Sequence, residues 1–372
     1  MLARLRFPVE RSQGRRYPEL PHPYRNEFQR DRDRIVHSRA FRRLENKTQV
    51  FPPGLSDHFR NRLTHSLEVS QIARTVASVL GLDEDLTEAL ALVHDIGHPP
   101  FAHAGEEELD RILHGYGESF DHNLHALRIV ERFESKYARF PGLNLTFEVR
   151  EGIVKHSHDF GPGEAPELDE FLPGLRPPLE SQLIDLCDEI AYNTADLDDA
   201  FSAGLLTPDQ LRGGVPEFDA LWEEAEMQFP GAPDRVRVSE IVRRRVDHLV
   251  SGMIEGTVEA ASRTDVHNYH DVRQAPGRIA RFSAETQGTS LSLKAILRKL
   301  VYQSAMVVAE RTEWTRRIGE LFEFLTAHPG ALPSEYLDET RDEPVHRLVA
   351  DYIAGMTDGF FVRTYSQLIH PV

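Results

Sequence analysis

Residues 94–106 read His-Asp-Ile-Gly-His-Pro-Pro-Phe-Ala-His-Ala-Gly-Glu, placing three histidines, an aspartate and a glutamate in one short stretch. Imidazoles and carboxylates serve both as metal ligands and as proton carriers near neutral pH. Before them, Leu86, Ala89, Leu90 and Val93 recur at helical spacing, so Asp85–Val93 is expected to be a buried helix with His94 and Asp95 in its last turn. Gly97 should stop that helix, and Pro99 and Pro100 should keep it from resuming. Burying adjacent imidazole and carboxyl groups is costly unless something binds them, and a metal ion is the simplest candidate.

Two neighbouring helix positions diverge by about 100°, so His94 and Asp95 share one ion only if it lies off the helix end. Further ligands must come from other elements. Residues 62–80 read as a helix with Val69, Ile72, Val76 and Val79 inward, and His65 lies one turn before Val69 on that face. A lone inward histidine is more often a core residue than a ligand; nearby ligands tilt the choice. Residues 180–201 form another expected helix, with Leu183, Ile184, Cys187, Ile190 and Ala191 inward. Asp188 shares that face, Asp185 lies one turn earlier, and spacing alone does not separate them. Two imidazoles with two carboxylates suit Mn, Fe, Co, Ni or Zn better than Mg, which prefers all-oxygen sites. His103 and Glu106, three apart on a helical turn, can touch as an acid/base unit.

The remaining elements must carry these residues. Helices are expected over 25–46, 118–136, 238–262, 290–327 and 343–358, a short strand over 47–53, a long loop over 159–178, and a minor hairpin over 272–286. Gly/Pro-marked breaks fall at 212–216 and 229–234. The fold class is mainly α. Three regions are expected: an N-terminal arm (1–24), a core with the metal site (25–204), and a C-terminal helical portion (205–372) that completes a substrate pocket.

Composition narrows the function classes. A single cysteine, Cys187, excludes an intramolecular disulfide or a cysteine-rich zinc site. No apolar run reaches the roughly 18 residues of a membrane span, and the first residues lack a secretory signal, so a cytoplasmic protein without a membrane partner is expected. The net charge of −17 argues against general nucleic-acid binding, yet residues 1–62 carry net +8 against −25 for the rest. Either a local anion site or pairing with acids elsewhere accounts for those arginines. A P-loop and an HExxH pair are both absent.

The ordered set His65, His94-Asp95, Asp188 resembles the H…HD…D pattern of the HD metal-dependent phosphohydrolases. It is closest to the dGTPase-type deoxynucleoside triphosphate triphosphohydrolases. Stretches 41–51, 62–69, 94–101, 143–153 and 188–196 carry the likeness, which runs from about Asn26 to Phe201 and weakens beyond residue 288. The resemblance implies an HD-domain helical bundle with additional C-terminal helices. It also implies hydrolysis of a dNTP to deoxynucleoside and intact triphosphate, with Mg accompanying the triphosphate.

By the same resemblance His65, His94, Asp95 and Asp188 are the metal ligands, and His103, Glu106 and His122 are catalytic. Arg62 and Lys294 would bind phosphate, Tyr192, Asp196 and Tyr302 the sugar, Gln49 the base and sugar side, and His98 either phosphate or the turn itself. Which histidine protonates the leaving group is left open. Departures are Asn61 and Ala102, where relatives often have Thr and Gly, and His125, at a position commonly polar. Homo-oligomers are common in the family, and an effector dNTP or single-stranded nucleic acid is a candidate ligand of the basic N-terminal region. Competing readings are an HD nucleotidase or phosphodiesterase releasing monophosphate, and a non-enzymatic dNTP sensor.

Overall fold

The computed structural model describes residues 1–51, 59–212, 216–334, 336 and 343–370. In chain order the helices are α1 (Glu27–Val36), α2 (Arg39–Arg43), α3 (Arg62–Leu80), α4 (Glu84–Val93), α5 (Ala102–His114), α6 (His122–Arg128), α7 (Phe147–Val154) and α8 (Leu179–Ser202). There follow α9 (Pro208–Leu211), α10 (Pro216–Gln228), α11 (Asp234–Arg263), α12 (Tyr269–Gln274), α13 (Ala284–Leu297), α14 (Ala305–Ala327), α15 (Val345–Ala354) and α16 (Asp358–Ile369). Among the described residues no strand forms; extended pairing is confined to single bridges, Arg15 with Thr146 and Thr48 with Asn61. The described residues are mainly α-helical.

Local chemistry explains where the elements depart from expectation. The helix expected over 25–46 is broken, because Ser38 accepts from Phe41 N at 3.0 Å and caps a new helix. The Glu134 carboxylate accepts from Arg39 N and Ala40 N at 3.0 and 2.6 Å, satisfying that helix start a second time. The expected strand over 47–53 is one bridge at Thr48, and its end at residues 52 and 53 lies outside the described residues. The hairpin expected over 272–286 is absent. Asn268 caps α12, Ser283 caps α13, and the segment between them donates from Ile279 N (2.7 Å) and Ala280 N (3.3 Å) to Gln182 Oε1. A side chain thus supplies the acceptor that a partner strand would have supplied. The helix expected over 290–327 divides into α13, a π-turn over Arg298–Tyr302, and α14. That expected over 118–136 starts only at His122, where Asp121 accepts from Asn123 N and Leu124 N. Helix 343–358 ends at Ala354, and Thr357 caps α16.

The chain divides into two compact units, residues 1–35, 65–92 and 144–304, and residues 36–64, 93–143 and 305–372. In the first, α8 packs against α11 and α13, burying Leu183, Ile184, Cys187 and Ile190 with Ile241, Leu249 and Met253. Along α3, Val69, Ile72, Ala73, Val76 and Leu80 are buried, whereas Val79, expected inward, is 43% exposed. The N-terminal segment is docked: Leu2, Leu5 and Phe7 are buried, Leu2 N donates to Leu80 O at 2.6 Å, and Phe7 N to Glu180 Oε1 at 3.0 Å. Its arginines meet acids within this unit, Arg6 with Asp83, Arg15 with Glu27 and Asp31, Arg30 with Glu27, Arg32 with Glu88 and Arg34 with Glu19.

In the second unit α14 packs on α5, α15 and α16. Ile318, Leu321, Phe322 and Leu325 recur at helical spacing on its buried face, against Leu109, Leu113, Val349 and Phe361. No described helix is long and apolar enough to cross a membrane.

Candidate functional site

The HD stretch lies in the second unit. Helix α4 ends at Val93, so His94 and Asp95 occupy the turn that follows it rather than its last helical turn. Gly97 is required by close approach: a Cβ there would lie 1.9 Å from the His122 carbonyl oxygen. That contact brings the start of α6, and His122 with it, onto the HD turn. Gly105 plays the same part on the other side, where a Cβ would meet the Pro100 carbonyl oxygen at 2.1 Å. Between them Phe101 and Ala102 both adopt positive φ, +62° and +55°, an uncommon conformation for side-chain-bearing residues.

His94 and Asp95 are both buried. Asp95 Oδ2 accepts from Arg62 Nη1 at 2.8 Å, and its Oδ1 lies 2.9 Å from His98 Nδ1 and 3.7 Å from His94 Nε2. Burial opposes the charge on Asp95, but Arg62, His98 and His94 outweigh it and hold the carboxyl well below its usual range. His98 is the reverse case: burial, with Arg62 and His122 nearby, drives its pKa well below the ordinary imidazole value and keeps the ring neutral.

The His98 ring lies against His122, centroids 3.8 Å apart. Glu106 Oε1 lies 2.7 Å from His122 Nδ1 and accepts from His122 N at 3.1 Å, while Oε2 is 3.9 Å from His103 Nδ1. Burial disfavours the Glu106 carboxylate, yet the His103 imidazole close by and the hydrogen bonds from His122 hold its pKa far below the usual value. The His103 side chain is 78% exposed. An anionic glutamate thus sits between two imidazoles, one partly buried against the HD turn and one largely exposed. Gln49 Oε1, in the same unit, is buried with no hydrogen-bond partner among the described residues.

The other expected site residues lie in the first unit. His65 Nε2 is 2.8 Å from Asp188 Oδ1. Asp185 is committed elsewhere, to His156 Nδ1 (2.7 Å), Ser157 N (3.1 Å) and Arg278; geometry separates the two aspartates where helical spacing did not. Tyr192 and Asp196 follow Asp188 along α8, and Tyr302 hydrogen-bonds Asp196 through its hydroxyl. Lys294 Nζ lies 2.8 Å from Glu189 Oε2 and 5.8 Å from the Tyr192 ring centre. Burial, with Asp196 close by for Tyr302 and Glu189 for Tyr192, pushes both phenols above their usual range, so both remain neutral donors. Two residues escaped the sequence reading here. His156 has its Nε2 4.0 Å from Asp188 Oδ2, and Glu189 engages both Lys294 and Ser290. His156 lies outside every stretch that carries the likeness; Glu189 lies within 188–196, and that position beside Asp188 was its signal.

The donor chemistry fits a metal of the mixed nitrogen–oxygen class. Two pairs carry it, His65 with Asp188 in the first unit and His94 with Asp95 in the second.

Comparison with known proteins gives the family. The HD domain model matches residues 62–193, and the phosphohydrolase-associated domain model matches residues 280–367. Deoxyguanosinetriphosphate triphosphohydrolase-like proteins of Ralstonia nicotianae and Azoarcus sp. are 44% and 45% identical to this chain, each across 96% of it and 92% and 93% of their own length. That of Geobacter sulfurreducens is 42% identical across 97% of this chain and 93% of its own. The chain belongs to the deoxyguanosinetriphosphate triphosphohydrolase-like family. It is therefore an HD-type phosphohydrolase, and the phosphohydrolase-associated segment covers α13 with Lys294, Tyr302 beyond it, and α16.

Proposed function

We propose that the protein hydrolyses deoxynucleoside triphosphates to deoxynucleoside and inorganic triphosphate. The observation that carries this reading is the Glu106 carboxylate held between His122 and His103 beside the Asp95–Arg62–His98 cluster. The printed names of the relatives, which specify a deoxyguanosine triphosphate, support the substrate class. In this reading His65, His94, Asp95 and Asp188 hold a divalent metal, which supplies positive charge for the α-phosphoryl oxygens.

The chain's own residues do the rest. A water oxygen bonds to the α-phosphorus, the bond from phosphorus to O5′ breaks, and O5′ takes up a proton. Alkoxide is a poor leaving group, so a proton donor is needed at that atom. An imidazole of the trio takes the proton from the attacking water, anionic Glu106 supports the imidazolium that forms, and a histidine of the same trio delivers a proton to O5′. His122, partly buried and held by Glu106, has one defined orientation; exposed His103 can follow the substrate. Arg62 binds phosphate charge, Tyr192 packs against C2′, and Asp196 with Tyr302 receives the 3′-hydroxyl. Lys294 contacts the phosphates and Gln49 the base and sugar side. A cytoplasmic location and a homo-oligomeric state belong to the same reading.

The test is incubation with each dNTP, singly and mixed, with Mn, Co or Mg, followed by ion chromatography. Triphosphate in step with deoxynucleoside is expected. Orthophosphate as the product would replace the reading with a monophosphate-releasing activity, and binding without turnover would replace it with a sensor.

A further inference from the structure

The left-handed turn at Phe101–Ala102, with two consecutive positive φ values on residues with side chains, immediately precedes His103. The support comes from two buried charged residues outside the HD stretch. Asp358, at the first position of α16, accepts from Phe101 N at 3.1 Å through Oδ1. Through Oδ2 it accepts from Thr48 N at 2.8 Å and from the Thr48 hydroxyl. Lys47 Nζ donates to the carbonyl of His98 and, at 3.0 Å, to that of Ala354. Both ends of the His98–Phe101 turn are therefore tied to the end of α15 and the start of α16, and the same carboxylate fixes the backbone next to Gln49. The Phe101 ring completes the clamp, stacked on Trp314 at 3.9 Å and edge-on to Phe361 at 5.1 Å.

We infer that Asp358 is a positioning residue. It acts through Phe101 to aim His103 and Glu106, and through Thr48 to place Gln49, without touching substrate. A two-oxygen anion suits the task, because three donors from two separate segments converge on it. Asparagine offers one acceptor oxygen and turns an amide toward the other donors, so Asp358→Asn must release one segment. This inference rests on the proposed reaction for its kinetic readout and on Trp314 for a readout independent of it.

The experiment compares the full-length protein with Asp358→Asn and with the milder Thr48→Val, all in a Trp222→Phe background so that Trp314 is the remaining tryptophan. Metal content, near-ultraviolet circular dichroism and fluorescence of Trp314, and kcat and KM for dNTP are measured. Asp358→Asn is expected to keep its metal, lower kcat at least tenfold with KM within threefold, and shift the Trp314 signal. Thr48→Val is expected to lower kcat two- to fivefold. Unchanged kcat, or lost kcat with an unchanged Trp314 signal, overturns the inference. If Asp358→Asn does not fold, wild-type kcat in Thr48→Val overturns it alone. A wild-type protein that releases no triphosphate defeats the proposed function instead, and the Trp314 comparison still decides whether the clamp exists.

Discussion

At the residue scale the proposed reaction divides the site into side chains that hold charge and side chains that serve proton transfer. Asp95 belongs to the first kind: its carboxyl is kept ionised by Arg62 and the adjacent imidazoles despite full burial. Glu106 serves the second, because both of its partners are imidazoles, which can carry a proton. The two should fail differently. Asp95→Ala is expected to lose bound metal and turnover together. Glu106→Gln is expected to retain metal and lose about 10²–10⁴ in kcat, the range of a lost acid/base group. Metal analysis beside steady-state kinetics checks the pair, and loss of metal from Glu106→Gln would sink its assigned role. His94, Asp95, His103 and Glu106 stood out in the sequence because they cluster in one stretch. Lys47 and Asp358 did not, since their partners are backbone groups more than 50 and 250 residues away along the chain. Backbone acceptors and donors leave no trace in residue type.

At the element scale, apolar spacing located the ends of α3, α4 and α8 well, because each presents a stripe of Val, Leu and Ile to a core. It failed where side chains intervene. Ser38 restarts a helix, Asn268 and Ser283 turn an expected hairpin into two helix starts, and Asp121 delays α6. It also misread Gly97, whose smallness admits the His122 carbonyl rather than merely ending a helix. Gly97→Ala must therefore push α6 away from the HD turn. A loss of about 3 kcal/mol in unfolding free energy is expected, together with a weakened contact between the His98 and His122 rings. Urea denaturation measures the first; a variant as stable as the parent would show that no such contact limits the turn.

At the scale of the whole molecule, the overall charge of −17 conceals a basic N-terminal stretch whose arginines are largely engaged by acids of their own unit. Docking of that stretch also leaves a pH signature. Glu180 is fully buried, accepting from Phe7 N and Asp83 N, and burial raises its pKa from 4.5 to about 7. Between those values the folded state holds a proton that the unfolded state has released, so stability falls as pH rises from 4.5 through 7. Glu180→Gln keeps the acceptor oxygen and removes the titration. It should be more stable than the parent at pH 8 by about 2–3 kcal/mol and little different at pH 4.5. Urea midpoints across that range check this, and a difference independent of pH would contradict it.

The central claim is that one bond breaks, between the α-phosphorus and O5′. Hydrolysis of a dNTP in ¹⁸O-labelled water, with mass spectrometry of the products, tests it directly. The expected result is one ¹⁸O in the inorganic triphosphate and none in the deoxynucleoside. Label in orthophosphate, in pyrophosphate or in the deoxynucleoside would contradict it.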